Sequence, residues 1–511
     1  MGRPAGASHI ESVTSEVQRV HPSDNLKGVS LRFYDTKTAS VRDFQPLAEG
    51  EVKLYYCGAT VQGMPHVGHV RSAIVFDILV RWLEYRGFAV TTVRNVTDID
   101  DKMLEKSANS FAADFEADAH YKPREEWFAL AYRFEQEFSM AYETLGVRRP
   151  TYEPRATGHI TEMHELIEQL IDRGHAYPAA DGSGDVYFDV RSYEQYGALT
   201  RQKVDDMQDA PDSDPRGKRD PRDFALWKGH KDTDPLTASW PSPWGRGRPG
   251  WHLECSAMAG KYLGSAFDIH GGGLDLRFPH HENEMAQSNA AGHGFANYWM
   301  HNGLVTYEGE KMSKSIGNTI SPEEMLALAD ARVVRYFLGQ AHYRSMLDYR
   351  PDSLTEAGAA VDRVDTFISN ARYRLGAAAE AIAATAVPEA FGTAMDDDLN
   401  VPMALAALHE TVRLGNASLD QRDDAAAAKA LGQVLAMTQV LGLDDAGSNE
   451  GSDSSAEHEA LDQLIQAQLA ERAEARAAKD WARSDAIRDA LASAGITVVD
   501  SADGARWTLD N

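Results

Sequence analysis

Residues 52–57 (VKLYYC) form a short, almost wholly apolar run that stops at Gly58, and a second such run, residues 88–93 (FAVTTV), begins just after Gly87. Runs of this length and character are those of parallel strands covered on both faces. Between them Ile74, Ile78 and Trp82 recur every fourth residue with Val75, Leu79 and Leu83 beside them, which predicts one long helix buried along a broad face. Strand, helix, strand is the unit of an α/β sheet, and such sheets hold ligands outside the carboxyl ends of their strands. The fingerprint G-x-G-x-x-G is absent from this unit, which argues against nicotinamide chemistry.

The unit is only a small part of 511 residues, a length that calls for about three or more domains. From about residue 104 to 239 the pattern turns helical and then polar, ending in the Asp-, Pro- and Arg-rich stretch DDMQDAPDSDPRGKRDPRD, which reads as an insertion with a mobile loop. The α/β character resumes near Trp240, and residues 267–270 (FDIH) before Gly271-Gly272-Gly273 predict a strand leading into a tight turn. Beyond residue 350 alanine and leucine recur at helical spacing, as in a bundle. The domain reading is therefore an N-terminal extension (1–29), a Rossmann-like parallel-sheet catalytic domain in two halves (30–118 and 240–350) split by a connective insertion (119–239), an α-helical bundle (351–443), a flexible acidic linker (444–458) and a small C-terminal module of helix and hairpin (459–511).

Composition removes several classes of protein. No apolar run approaches the roughly 18 residues needed to span a bilayer, and the first thirty residues lack the apolar stretch of a secretion signal. A cytoplasmic protein without a membrane partner is expected. Two cysteines, Cys57 and Cys255, cannot make a disulfide scaffold. The formal net charge of -27 argues against nucleic acid as a partner, although Arg216, Lys218, Arg219, Arg222 and Lys228 form one basic cluster and Arg472, Arg476, Lys479, Arg483 and Arg488 another.

Two stretches carry chemistry. His66-Val67-Gly68-His69 opens the buried helix, where free N–H groups and the positive end of the dipole favour phosphate. Lys311-Met312-Ser313-Lys314-Ser315 lies in a run of small, polar and basic residues that reads as a mobile loop, able to bring two positive charges to a pyrophosphate as negative charge develops. In this order, separated by an insertion, the two resemble the signature of class I aminoacyl-tRNA synthetases. The strings YYCGATV (55–61), RNVTDIDDKM (94–103), WPSPWGRGRPGWHLECSAM (240–258) and FDIHGGGLDLRFPHHENEMAQS (267–288) narrow the resemblance to the cysteinyl-tRNA synthetase family, with weaker similarity from about residue 31 to the end.

The resemblance implies one zinc ion per chain, held by Cys57, Cys255, His280 and Glu284. The donor types suit zinc, and His280 and Glu284, four residues apart, share a helix face; Glu284 is three residues from His281, a workable but less regular spacing. A metal answers a selection problem. Serine and cysteine are near-isosteres that a shaped pocket separates by only about 10–200-fold, whereas zinc strongly prefers thiolate to alcohol. The resemblance further implies that Gly58, Thr97 and Trp251 line the cysteine pocket, that His270, Gly271, Gly272, Gly273 and Asp275 hold adenosine beside His66, His69 and Lys314, and that His66, His69, Lys311 and Lys314 stabilise the transition state. Mg²⁺ should accompany ATP, the bundle should bind the tRNA and residues 476–507 should contact its anticodon.

The chain departs from the family pattern at Gln62-Gly63, which commonly reads Tyr-Asp, at Val67 for the usual Ile, and at Gly158 for a usual polar residue. The expected activity is ATP-dependent formation of cysteinyl-adenylate and transfer of cysteine to tRNA(Cys), by a monomer. The rivals are a cysteine ligase acting on glucosaminyl-inositol in mycothiol synthesis, a small nucleotidyltransferase sharing the HxGH motif, and a zinc-stapled RNA-binding protein without catalysis.

Overall fold

The computed structural model describes residues 31–117, 120–207, 217–312, 319–376, 379, 382–444, 454–501 and 504–509. The N-terminal extension, the centre of the polar stretch (208–216, including Arg216), residues 313–318 of the lysine loop and residues 445–453 of the linker lie outside them. The chain divides into two compact units, residues 1–447 and 448–511. Among the described residues no helix is long and apolar enough to cross a membrane.

The first unit is built on a parallel sheet whose strands lie in the order Phe295–Asn302, Ala266–Gly273, Glu51–Tyr56, Ala89–Arg94. The helix Val67–Tyr85 carries the chain from the third of these to the edge, and its residues Ile74, Ile78, Leu79, Trp82 and Leu83 are all buried. After the insertion the chain returns on the other side of Glu51–Tyr56. The order therefore reverses between Glu51–Tyr56 and Ala266–Gly273, the place where a crevice opens at the carboxyl ends of the strands.

Two expectations need correction. The triple glycine makes no tight turn: the strand runs straight through to Gly273. Its glycines serve close packing, because a Cβ on Gly271 would lie 2.2 Å from the Phe76 ring of the Val67–Tyr85 helix and one on Gly272 2.9 Å from His281. In the insertion, helices Trp127–Thr144 and Ile160–Asp172 are joined by the strands Ala176–Pro178, Val186–Phe188 and Phe224–Gly229, which form an antiparallel sheet of four strands with Gly247–Pro249 from just beyond it. Three of these strands have only three residues, too few to show a period of two.

Past the second half of the sheet come the helices Ala331–Gly339, Ser353–Leu375, Glu389–Asp396, Val401–Asp420 and Asp424–Leu441. The second unit is separate and small: helices Ser454–Ala477 and Trp481–Ser493 and the hairpin Ile496–Ser501/Gly504–Leu509 enclose Ile465, Leu469, Ile487, Leu491 and Ile496. Of its basic cluster, Arg476, Lys479, Arg483 and Arg488 are exposed, but Arg472 is buried.

Within the first unit one polar cluster joins distant segments. Asp77, buried on the Val67–Tyr85 helix, accepts from Arg81 Nε at 2.7 Å, from an Arg335 guanidinium nitrogen at 2.6 Å and from the Arg148 backbone N–H at 3.1 Å. Burial would raise its carboxyl, but Arg335 and Arg81 outweigh that and hold it below the usual carboxylate range. Arg335 also donates to the carbonyls of Leu145 and Leu441, and Arg81 to those of Gly146 and Gln439. Asp77→Ala would leave two buried guanidinium groups without their carboxylate. It is expected to cost about 3–5 kcal/mol of stability, read as a lower urea midpoint for the first unit; an unchanged midpoint would show the cluster to be dispensable.

Candidate active site and metal cluster

A cleft of about 700 Å³ opens at the reversal point, lined by Cys57, Gly58, His66, His69, Trp251, Gly273 and Asp275 among others. His66 is the N-cap of the Val67–Tyr85 helix and His69 its third residue, and each side chain accepts from the other's backbone N–H in a reciprocal capping box. The two rings stack with centroids 3.6 Å apart. Both imidazoles thus stand at the positive end of the helix, where a phosphate chain is favoured. Val67 N–H donates to the Ile320 carbonyl at 3.1 Å, so the chain just past the lysine loop touches the HVGH segment. Lys311 lies in the strand Glu310–Lys311 paired with Val305–Tyr307. Its side chain, and the whole of Lys314, are outside the described residues.

The second wall is set from below by Arg71. Buried in the same helix, its guanidinium donates to the carbonyls of Gly303 and Leu304 at 2.8 Å each and of Ser345 at 2.6 Å. Gly303 and Leu304 line the cleft.

Cys57 directly follows the strand Glu51–Tyr56, Cys255 lies in the helix Trp251–Leu263, and His280 and Glu284 lie one turn apart in His280–Ala290. Their ligand atoms converge. Cys57 Sγ is 3.8 Å from Cys255 Sγ and 3.5 Å from Glu284 Oε1; His280 Nε2 is 3.5 Å from Cys255 Sγ and 3.1 Å from Glu284 Oε1. A tetrahedral zinc with its usual bond lengths requires S···S of about 3.8 Å, S···N and S···O of about 3.6 Å and N···O of about 3.4 Å. The four residues therefore form a possible metal-binding cluster, four of whose edges lie close to those of that tetrahedron. Cys57, His270, His281 and Glu284 also converge. That set fits less well, because His281 Nε2 is 4.0 Å from Glu284 Oε1 and Cys255 is left out.

The donor chemistry points the same way. Burial pushes the Cys57 thiol well above its usual range and the Cys255 thiol above it, and holds the His280 imidazole down to about 3. His280 is thus neutral, the form that ligates, while the thiols need a nearby cation to ionise. Two further histidines orient the set: His252 Nδ1 meets His280 Nδ1 at 3.0 Å, and His270 Nε2 meets Glu284 Oε2 at 2.8 Å. Such outer contacts fix ligand geometry. His252 carries no spacing signal and was invisible to sequence reasoning.

The remaining expected residues divide. Trp251 is 37% exposed, lines the cleft and stacks on His280 at 4.1 Å between centroids, so it is a wall and not core. Gly58 has no room for a side chain, since its Cβ would lie 1.7 Å from the Asn95 carbonyl oxygen, and its N–H donates to Asn95 Oδ1 at 2.9 Å. Thr97 is buried behind that wall: its hydroxyl donates to Glu254 at 3.0 Å and accepts from Asn95 Nδ2 at 3.2 Å. Of the strip from His270 to Asp275, Gly273 and Asp275 line the cleft, whereas His270 is fully buried against Glu284 and Trp299.

Comparison with known proteins bears on the whole chain. Residues 43–359 match the family model of the class I (C) tRNA synthetase catalytic domain, residues 390–444 that of the DALR domain and residues 458–507 that of the cysteinyl-tRNA ligase anticodon binding domain. A cysteine–tRNA ligase of Paenarthrobacter aurescens is 70% identical over 94% of this chain and 99% of its own length. One from Micrococcus luteus is 68% identical over 94% and 100%, and one from Cutibacterium acnes 55% identical over 95% and 98%. In fold the chain is similar to Mycobacterium tuberculosis methionyl-tRNA synthetase in complex with methionyl-adenylate, with a TM-score of 0.55 at 15% identity over 77% of this chain and 90% of that one. The chain belongs to the cysteine–tRNA ligase family of class I aminoacyl-tRNA synthetases.

Proposed function

We propose that the chain joins L-cysteine to ATP as cysteinyl-adenylate, releasing pyrophosphate, and then passes the cysteinyl group to the 3′ adenosine of tRNA(Cys), releasing AMP. The observation that carries this is the set Cys57, Cys255, His280 and Glu284, which converges behind a cleft lined by Cys57, His66 and His69. A zinc ion held by these four residues supplies a preference for thiolate over alcohol, which is the distinction between cysteine and serine.

The chain's own groups do the rest by position and charge. His66 and His69 meet the phosphates at the helix start. Gly273 and Asp275 take the adenosine, with Gly271 and Gly272 letting the strand approach the HVGH helix and His270 orienting Glu284. Gly58 and Trp251 bound the amino acid, while Thr97 holds Asn95 and through it Gly58. Lys311 and Lys314 neutralise charge developing on the pyrophosphate, and Mg²⁺ accompanies ATP. The bundle, with residues 459–511 reaching the anticodon, binds the tRNA to a cytoplasmic monomer. That C-terminal module is also what disfavours a sugar-amine acceptor.

Metal-loaded protein is expected to show cysteine-dependent pyrophosphate exchange into ATP and to transfer cysteine to tRNA(Cys); transfer only to glucosaminyl-inositol, or no exchange, would overturn the reading. Cys255→Ala should lose bound zinc, from one per chain, together with cysteine affinity, and an unaltered zinc content would refute the ligand set. Lys314→Ala should slow activation roughly a hundredfold to a thousandfold in single-turnover assays, with zinc content unchanged.

A further inference from the structure

The activation chemistry leaves one wall of the cleft unassigned. The helix Asp101–Ser110 follows the edge strand Ala89–Arg94, so in sheet order it lies on the far side of Glu51–Tyr56 from Gly273 and Asp275. Lys102, Glu105, Lys106 and Asn109 of this helix line the cleft. Lys102 and Lys106, four residues apart, share one face. Neither forms an ion pair among the described residues, although Asp100 and Glu105 temper the field at Lys106. Two ammonium groups side by side without a paired carboxylate repel each other and favour an anion between them.

Lys106 is also aimed. Its ammonium donates to the Gln62 carbonyl oxygen at 2.6 Å and to the Tyr121 hydroxyl at 3.3 Å, which leaves its third N–H for a ligand. Burial lowers its pKa from the usual lysine range, a sign of partial withdrawal from water, where contact with an anion counts for more. The wall itself is fixed, because Asp101 accepts from Lys228 of the insertion and from Arg248 just after it at 2.7 Å each.

We propose that Lys106, assisted by Lys102, binds a backbone phosphate near the 3′ end of the acceptor RNA and so positions the terminal ribose for transfer. This rests on the RNA-acceptor reading above. The phosphates of ATP are the competing source of the same chemistry, but they belong at His66 and His69, at the start of the Val67–Tyr85 helix.

The test is a comparison of two half-reactions in Lys106→Ala, Lys106→Arg and Lys102→Ala. Lys106→Ala is expected to lower kcat/KM for tRNA(Cys) by about tenfold or more beyond any change in pyrophosphate exchange, the usual loss for one charge-assisted hydrogen bond. The loss should appear in KM, with the salt dependence of RNA binding shallower by about one charge. Lys106→Arg should recover most of it. Lys102 is exposed, so Lys102→Ala should fold and show a smaller loss of the same kind. Exchange and transfer falling together would assign the lysines to ATP, and transfer unaffected in every variant would leave them no role; either overturns the proposal. Absence of transfer by the unaltered chain, with exchange intact, would overturn the acceptor reading and this assignment with it.

Discussion

Asp77 sits on the buried side of the HVGH helix, where a carboxylate is tolerable only because arginines converge on it. Those arginines come from different parts of the chain: Arg81 from the same helix, Arg148 from the segment after Trp127–Thr144, and Arg335 from the helix Ala331–Gly339. Through Arg81 and Arg335 the cluster also holds the carbonyls at 145–146 and at the end of Asp424–Leu441. Ion pairs at fixed distances do not slide as apolar contacts can. The helix is thereby pinned against sliding at its middle, and its N-terminus, with His66 and His69, is held in register with Ile320.

A helix fixed in this way makes the neighbouring site a consequence of tertiary structure. Cys57 comes from a strand end, Cys255 from one helix, and His280 and Glu284 from another, so their donor atoms approach tetrahedral spacing only after the sheet and both helices have packed. The glycines at 271 and 272 contribute by absence: a methyl group at either would collide with the ring of Phe76 or His281, so the strand packs this closely only without one. The possible metal-binding set and the HVGH histidines thus stand on one frame.

Much of this was legible in the sequence, for physical reasons that also mark where legibility stopped. The apolar runs at 52–57 and 88–93 and the four-residue rhythm of Ile74, Ile78 and Trp82 are local patterns, and local patterns fixed the strand, helix, strand unit. Cys57, Cys255, His280 and Glu284 could be named because motif strings surround them. What local patterns do not carry depends on contacts between residues far apart in the chain. The straight course of Gly271 and Gly272 is set by Phe76 and His281; the burial of Thr97 by Glu254; the turn of His270 away from the cleft by Glu284. The insertion sheet is a different case, since strands of three residues carry no period.

The net charge of -27 looked like an argument against RNA, but a net charge does not say where the cations stand. Arg71, Arg81, Arg94, Arg248 and Arg335 are buried, each occupied with internal carbonyls or carboxylates. That part of the positive charge of the first unit is structural and does not advertise itself to a polyanion. On an acidic molecule a phosphate chain is repelled from most of the surface and held only where cations stand unneutralised. Acidity then sharpens placement: the fewer the free cations, the more the docking of an RNA end depends on a local pair such as Lys102 and Lys106 beside the cleft. Total charge describes the surface an RNA must avoid, and the position of a few lysines describes where it can stay.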